Sequence, residues 1–188
     1  MTQKVKQGDF EYFNKKRQRE VIKTVIYFGV SLSLFIAGYA ATKTKANFLT
    51  IVAVLGLLPA SKSCVSMILY LRYHGCSRED HEFLKGTLEH FKHAYGLVFT
   101  SYKTTYEVAG CIVKNGYIYG CLTNHKNMGT DLEEHIAGIV KQNGYQATVG
   151  MFSNKEDFVN RLKQLQDKET ENEENDEKLM VLLHQISL

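Results

Sequence analysis

At 188 residues, 44% apolar and 23% charged, the chain has room for one soluble domain of ~100 residues beside a membrane segment. Its net charge of +3 conceals a split, with 12 Lys/Arg against 3 acids in residues 1–78 and 11 against 17 in residues 79–188. An acidic C-terminal half argues against a nucleic-acid partner, since that binding rests on basic patches.

Residues 1–23 form a basic tail carrying Lys4, Lys6, Lys15, Lys16, Arg17, Arg19 and Lys23. Phe10, Tyr12 and Phe13 among them fit a short helix lying in the headgroup layer with its lysines on anionic lipid. A disordered tail whose charge only sets topology fits equally well.

Residues 24–73 read as a two-span transmembrane hairpin. Thr24 to Ala41 is uncharged over 18 residues, close to the shortest length that spans a ~30 Å hydrocarbon core as a helix. Small residues at Gly29, Ser33, Ala37 and Ala41 recur every four positions, which suggests a face open to close helix approach. Thr42 to Asn47 is too short for anything but a tight return. The second run starts at Phe48 and carries its own small stripe at Ala53, Gly56, Ala60 and Ser63. Two such stripes across a short loop predict a closely packed pair.

Pro59 and Lys62 interrupt the second run. Proline removes a backbone donor, and a lysine in mid-bilayer is costly enough to suggest function. Phe48 to Lys62 spans 14 steps, or ~21 Å, so a snorkelling lysine reaches the cytoplasmic interface. That leaves Cys64 to Tyr73 interfacial or covered by protein. The alternatives are a buried Lys62 on an anionic headgroup or partner subunit, and a small transport or channel subunit that uses it.

Seven basic residues before the first span, against Lys43 and Lys45 in the loop, place both termini in the cytoplasm and the hairpin in the cell (inner) membrane. A cleaved signal peptide ending near Gly38-Tyr39-Ala40 is the rival reading, although the second run would still anchor the product. Cys64, Cys76, Cys111 and Cys121 match no metal or disulfide spacing and read as buried apolar residues in a reducing compartment.

Residues 79–166 read as a cytoplasmic α+β domain. A helix capped by Ser77 runs to about Ala94, with Phe83, Leu84, Leu88 and Phe91 on one side and His90 and His93 one turn apart. Two histidines at that spacing lack a third metal ligand in sequence. Tyr95 to Tyr102 reads as a strand. Asn115-Gly116 is a strong hairpin signal for a type I′ turn, so Lys114 pairs Tyr117, Cys111 faces Gly120 and Cys121 faces Gly110. One face then carries Ala109, Cys111, Val113, Ile118 and Leu122; the other carries Val108, Ile112, Tyr117, Tyr119 and Cys121. Asp131 to Asn143 is an amphipathic helix capped by Thr130 and ended by Gly144. Gln146 to Phe152 is a short strand. Lys155 to Gln166 is a helix capped by Ser153 with Glu156.

Residues 167–177 carry seven acids and form a solvated linker or helix extension. The apolar segment 179–188 returns as a strand or helix, or docks on the domain or on a partner.

The predicted fold class is a membrane α-helical hairpin plus a C-terminal α+β domain, with a mainly antiparallel sheet of about four strands flanked by helices in the order α-β-β-β-α-β-α. That order resembles the core of restriction-endonuclease-like domains, a resemblance that implies an acid on one strand and an acid-x-lysine on the next to hold a catalytic metal. The hairpin offers only Glu107, and its second strand reads Tyr-Ile-Tyr-Gly-Cys-Leu-Thr-Asn, so the fold is expected in degenerate form without the activity. The sequence has no phosphate loop, HExxH or nucleophile elbow, and no cofactor is expected. An enzyme would use the 123–135 loop, where Cys121 and His125 lie near Asn124 and Asp131. Asn124, His125, Lys126 and Asp131 are the ligand or partner candidates. The expected function is a membrane-anchored cytoplasmic binding module, an adaptor, sensor or small subunit. Its expected partners are the lipid bilayer and another protein or a second copy.

Overall fold

In the computed structural model, which describes residues 7–44, 47–101, 104–123, 129–166 and 172–188, the chain divides into two compact units. One is Phe13–Tyr73; the other is His74–Leu188 together with the chain ahead of Phe13.

The first unit is a pair of helices, α1 (Tyr12–Thr42) and α2 (Phe48–Arg72), both long and apolar enough to cross a membrane. From Tyr12 to Lys23 the basic stretch is continuous with the first span. It is the start of α1, because no Gly or Pro interrupts the chain between Tyr12 and Thr24. Asn47 starts α2 by accepting from the Thr50 N–H at 2.9 Å, and the helix continues through Pro59.

The seam between α1 and α2 follows seven-residue steps. On α1 it buries Thr24, Ser31 and Gly38. On α2 it buries Ala53, Ala60 and Ser63, with Gly56 half-buried between them. Thr24 and Ser63 share a hydrogen bond of 2.8 Å. A Cβ on Gly56 would lie 2.7 Å from Ser31 Oγ, and one on Gly38 would lie 2.8 Å from Leu49 Cβ, so both positions require glycine for close approach. Gly29, Ser33 and Ala37, expected on this face, are exposed instead. The physical reason is periodicity. Steps alternating three and four residues, as in Ala53, Gly56, Ala60 and Ser63, hold one line against a partner, whereas a strict four-residue step winds around a 3.6-residue helix.

The second unit is built around the turn at Asn115 and Gly116, both left-handed at φ +51° and +73° as a type I′ turn requires. It joins β2 (Thr105–Lys114) to β3 (Tyr117–Leu122) in the register Lys114↔Tyr117, Cys111↔Gly120 and Gly110↔Cys121. β1 (Lys92–Thr100) pairs antiparallel on the other side of β2. β4 (Thr148–Phe152) lies parallel to β3, so the four-stranded sheet, in order β1-β2-β3-β4, is mixed. The β3–β4 connection runs through α4 (Thr130–Gln142).

Helices cover both faces. α4 and α6 (Glu173–Ile186) bury Leu132, Ile136, Leu179 and Leu183 against Val108, Cys111, Val113 and Ile118. α3 (Arg78–Leu88) and α5 (Lys155–Gln166) bury Leu84, Leu88, Phe158 and Leu162 against Ala109, Ile112, Tyr119 and Cys121. Val108 and Ala109 therefore exchange the faces expected from strict alternation. A bulge between Val108 and Gly110 shifts the register there, and Gly110 fits because a Cβ would lie 2.7 Å from Leu88 Cδ1.

Other boundaries differ from expectation. The helix from Arg78 ends at Leu88, because Lys92 to Ala94 pair with Val113 to Cys111 as strand, and Phe83 is 50% exposed rather than on the buried stripe. Gly129, not Thr130, stands at the N-cap of α4, where a Cβ would lie 2.5 Å from that of Met151. At the start of α5, Asn154 Oδ1 accepts from the Glu156 N–H at 3.0 Å.

The C-terminal segment is a helix docked on the domain itself. Asp176, 1% exposed in the first turn of α6, accepts from the backbone N–H of Asn115 at 2.8 Å and of Gly116 at 3.0 Å. Gln7 to Tyr12 belong to this unit too. Gly8 O accepts from the Tyr95 N–H at 2.7 Å, Gln7 Nε2 donates to His184 O at 2.8 Å, and Phe10 stacks on His81 with ring centroids 4.2 Å apart. These contacts cover the outer edge of β1, an open edge that would otherwise invite pairing with another chain.

Candidate functional site

β1, β3 and β4 run in one direction, so their carboxyl ends meet at a single edge of the sheet, where open α/β sheets place ligand sites. Asp131, in the first turn of α4, reaches this edge on the α4/α6 face. Ser101 Oγ donates to its Oδ2, and Tyr106 Oη donates to the same oxygen at 3.5 Å. Ser101 and Tyr106, both neutral donors, are themselves buried. Thr123 follows β3 at this edge, its N–H donating to Glu107 O at 2.9 Å and its hydroxyl buried without a hydrogen-bond partner among the described residues. Asn124, His125 and Lys126 lie outside the described residues.

On the α3/α5 face the same edge holds an ion pair that sequence reading missed, between Lys155 Nζ and Asp80 Oδ1. Asp80 stands in the first turn of α3, where an acid suits the helix start. Its N–H does donate to Ser77 Oγ at 3.0 Å, but its carboxylate turns to Lys155, and the two side chains are only 7% and 25% exposed. The hydrogen bond to Asp80 raises the Lys155 pKa above 10.5, outweighing desolvation.

Cys76 and Cys121 lie in the same cluster. Burial, reinforced by the Asp80 carboxylate, pushes their thiols up to about 12 and about 11. At neutral pH a thiol near 11 is ionised in roughly one molecule in ten thousand, which is the opposite of an activated nucleophile. Cys121 belongs to the α3/α5 core, whereas Asp131 meets Ser101 and Tyr106 on the α4/α6 side. The sheet separates the two residues that a Cys-His-Asp arrangement would need together.

His90 and His93 do not share a helical face, since His93 stands on β1 with Nδ1 2.9 Å from Phe91 O. Among the described residues no three or more His, Cys, Asp or Glu side chains cluster as a metal site. Glu107 is half-buried on β2, and Tyr117–Leu122 of β3 offers no carboxylate beside it.

In the helical pair, the Thr24–Ser63 hydrogen bond fixes the depth of Lys62. Ser63 is level with Thr24, one step past Lys23, so residue 62 lies one further step into the charge-free run, near its end and not its middle. Thr24 to Thr42 rises ~27 Å at ~1.5 Å per residue, close to one hydrocarbon thickness. Lys62 and Pro59 are both exposed on the outer surface of α2. Gly29 lines an apolar groove of about 310 Å³ with Phe28, Phe35, Ala53 and Leu57.

Comparison of the chain with protein-family models, with curated proteins and with solved structures finds no match.

Proposed function

We propose that the protein is a membrane-anchored binding module, an adaptor, sensor or small subunit, with the α/β domain on the cytoplasmic face of the inner membrane. The observation that carries this reading is the outer surface of the helical pair. Val25, Ile26, Val30, Leu32 and Ile36 on α1 and Ile51, Val54, Leu55 and Leu58 on α2 are each more than half exposed. A soluble protein does not present that much contiguous apolar surface to water, whereas lipid solvates it at no cost. The small-residue seam, with its polar pair turned inward, suits helices that associate without hydrophobic drive.

The N-terminal segment folded into the domain supports an even number of crossings, and the basic residues of α1 support a cytoplasmic domain. Lys62 at the boundary of the apolar band favours anchoring over transport. The high-pKa thiols favour binding over Cys-based catalysis. Holding the domain at the membrane raises its effective concentration for a protein partner or a second copy there.

Native mass determination of the full chain, extracted in mild detergent, tests this reading. The expected result is one defined stoichiometry, either a homo-oligomer or a complex with a second chain. A monomer with nothing bound, in several detergents, would overturn it.

A further inference from the structure

The helical pair carries a second chemistry just beyond the apolar band. At about 100° per residue, Lys15, Lys16, Arg19 and Lys23 fall within an arc of about 100° on α1. On α2, Lys62 and Arg72 bracket the same zone, ten steps or ~15 Å apart. Glu20, 7% exposed, lies against Lys23 at 3.6 Å and leaves the outer surface positive. Within that zone Val65, Ile68 and Leu71 are 60%, 54% and 49% exposed.

Cations and apolar side chains at one level suit neither water nor hydrocarbon. The headgroup layer accommodates both, taking apolar groups at its acyl boundary and ammonium and guanidinium groups on its phosphates. We propose that this collar, Lys15, Lys16, Arg19, Lys23, Lys62 and Arg72, is a binding surface for anionic phospholipid headgroups. The charge is complementary to an anionic lipid and opposes a second copy, which would bring the same cations to the same level. Lys62, exposed on α2, is the innermost member and so holds the phosphate nearest the acyl chains. The proposal rests on the membrane reading above and adds the lipid class.

The test is native mass spectrometry of the full chain released from detergent containing equimolar phosphatidylglycerol and phosphatidylcholine, with alkaline carbonate extraction run on every variant. The wild type is expected to retain phosphatidylglycerol about tenfold over phosphatidylcholine. Lys62→Gln is expected to lower that preference about fivefold, the worth of one cation at an anionic surface. Lys62→Arg should keep it, and Lys15→Gln/Lys16→Gln/Arg19→Gln together should abolish it, with carbonate resistance unchanged throughout. Equal retention of the two lipids, an unchanged preference in Lys62→Gln, or a dimer that retains no lipid would overturn the proposal while leaving the anchor intact. Release of the wild type by carbonate would overturn the anchoring reading itself.

Discussion

Asp176→Ala is expected to lower the unfolding free energy of the domain by about 2–4 kcal/mol, because the substitution orphans two backbone donors at once. The Asn115 and Gly116 N–H groups both point at this carboxylate, at 2.8 and 3.0 Å, in the turn that sets the β2–β3 register. Charge-assisted bonds to backbone N–H groups are among the stronger hydrogen bonds in proteins. The same carboxylate also ties the start of α6 to the sheet, so its loss loosens the helix that buries Leu179 and Leu183. Asp176→Asn keeps one acceptor oxygen and should lose about half as much. Chemical denaturation of the full chain, followed by near-ultraviolet circular dichroism of its tyrosines, reads both values. A loss under about 0.5 kcal/mol for the alanine variant would mean that water replaces the carboxylate.

Lys155→Met is expected to cost about 3 kcal/mol, because it leaves the Asp80 carboxylate buried without its counter-charge. Asp80→Leu/Lys155→Met together should recover most of that loss, since replacing both members of a buried pair with apolar groups is often neutral. The pH dependence has a definite sign. A lysine whose folded pKa is raised contributes stability in full below its ordinary value of 10.5, and that stability is lost as pH climbs through the raised value. The wild type should therefore lose stability above pH 10.5 more steeply than the double variant, by the same denaturation measurement. Equal slopes would remove the ion pair from the account.

These two residues also mark where sequence reading stops. The β2–β3 register follows from two adjacent residues, Asn115 and Gly116, and was legible. So were α5 and the order of elements, because periodicity and caps are local signals. Asp176 with its turn and Asp80 with Lys155 are separated by 60 and 75 positions, and no local pattern links either pair. The bulge at Ala109 was invisible because it answers to Leu88 on another element. On α1, the four-residue stripe at Gly29, Ser33 and Ala37 was the more conspicuous pattern, yet the seven-residue set of Thr24, Ser31 and Gly38 makes the seam. None of those three falls on the four-residue step, and Thr24 is not a small residue. Of the candidate ligand residues, Asp131 is placed, held by Ser101 and Tyr106. The level of Lys62 against α1 follows from the meeting of Thr24 with Ser63, 39 positions away in the chain.

The central claim is that the helical pair crosses a membrane and returns the chain to the side it started from. Site-directed thiol labelling tests it most directly. Cys76, Cys111 and Cys121 are buried, so a Cys64→Ala background carries little reactive thiol. In that background Lys43→Cys probes the inter-helix loop and Lys163→Cys probes the domain. On intact expressing cells, a membrane-impermeant maleimide is predicted to label position 43 at once and position 163 only after lysis. Labelling of both positions, or of neither, before lysis would contradict the hairpin topology and with it the function proposed for the domain.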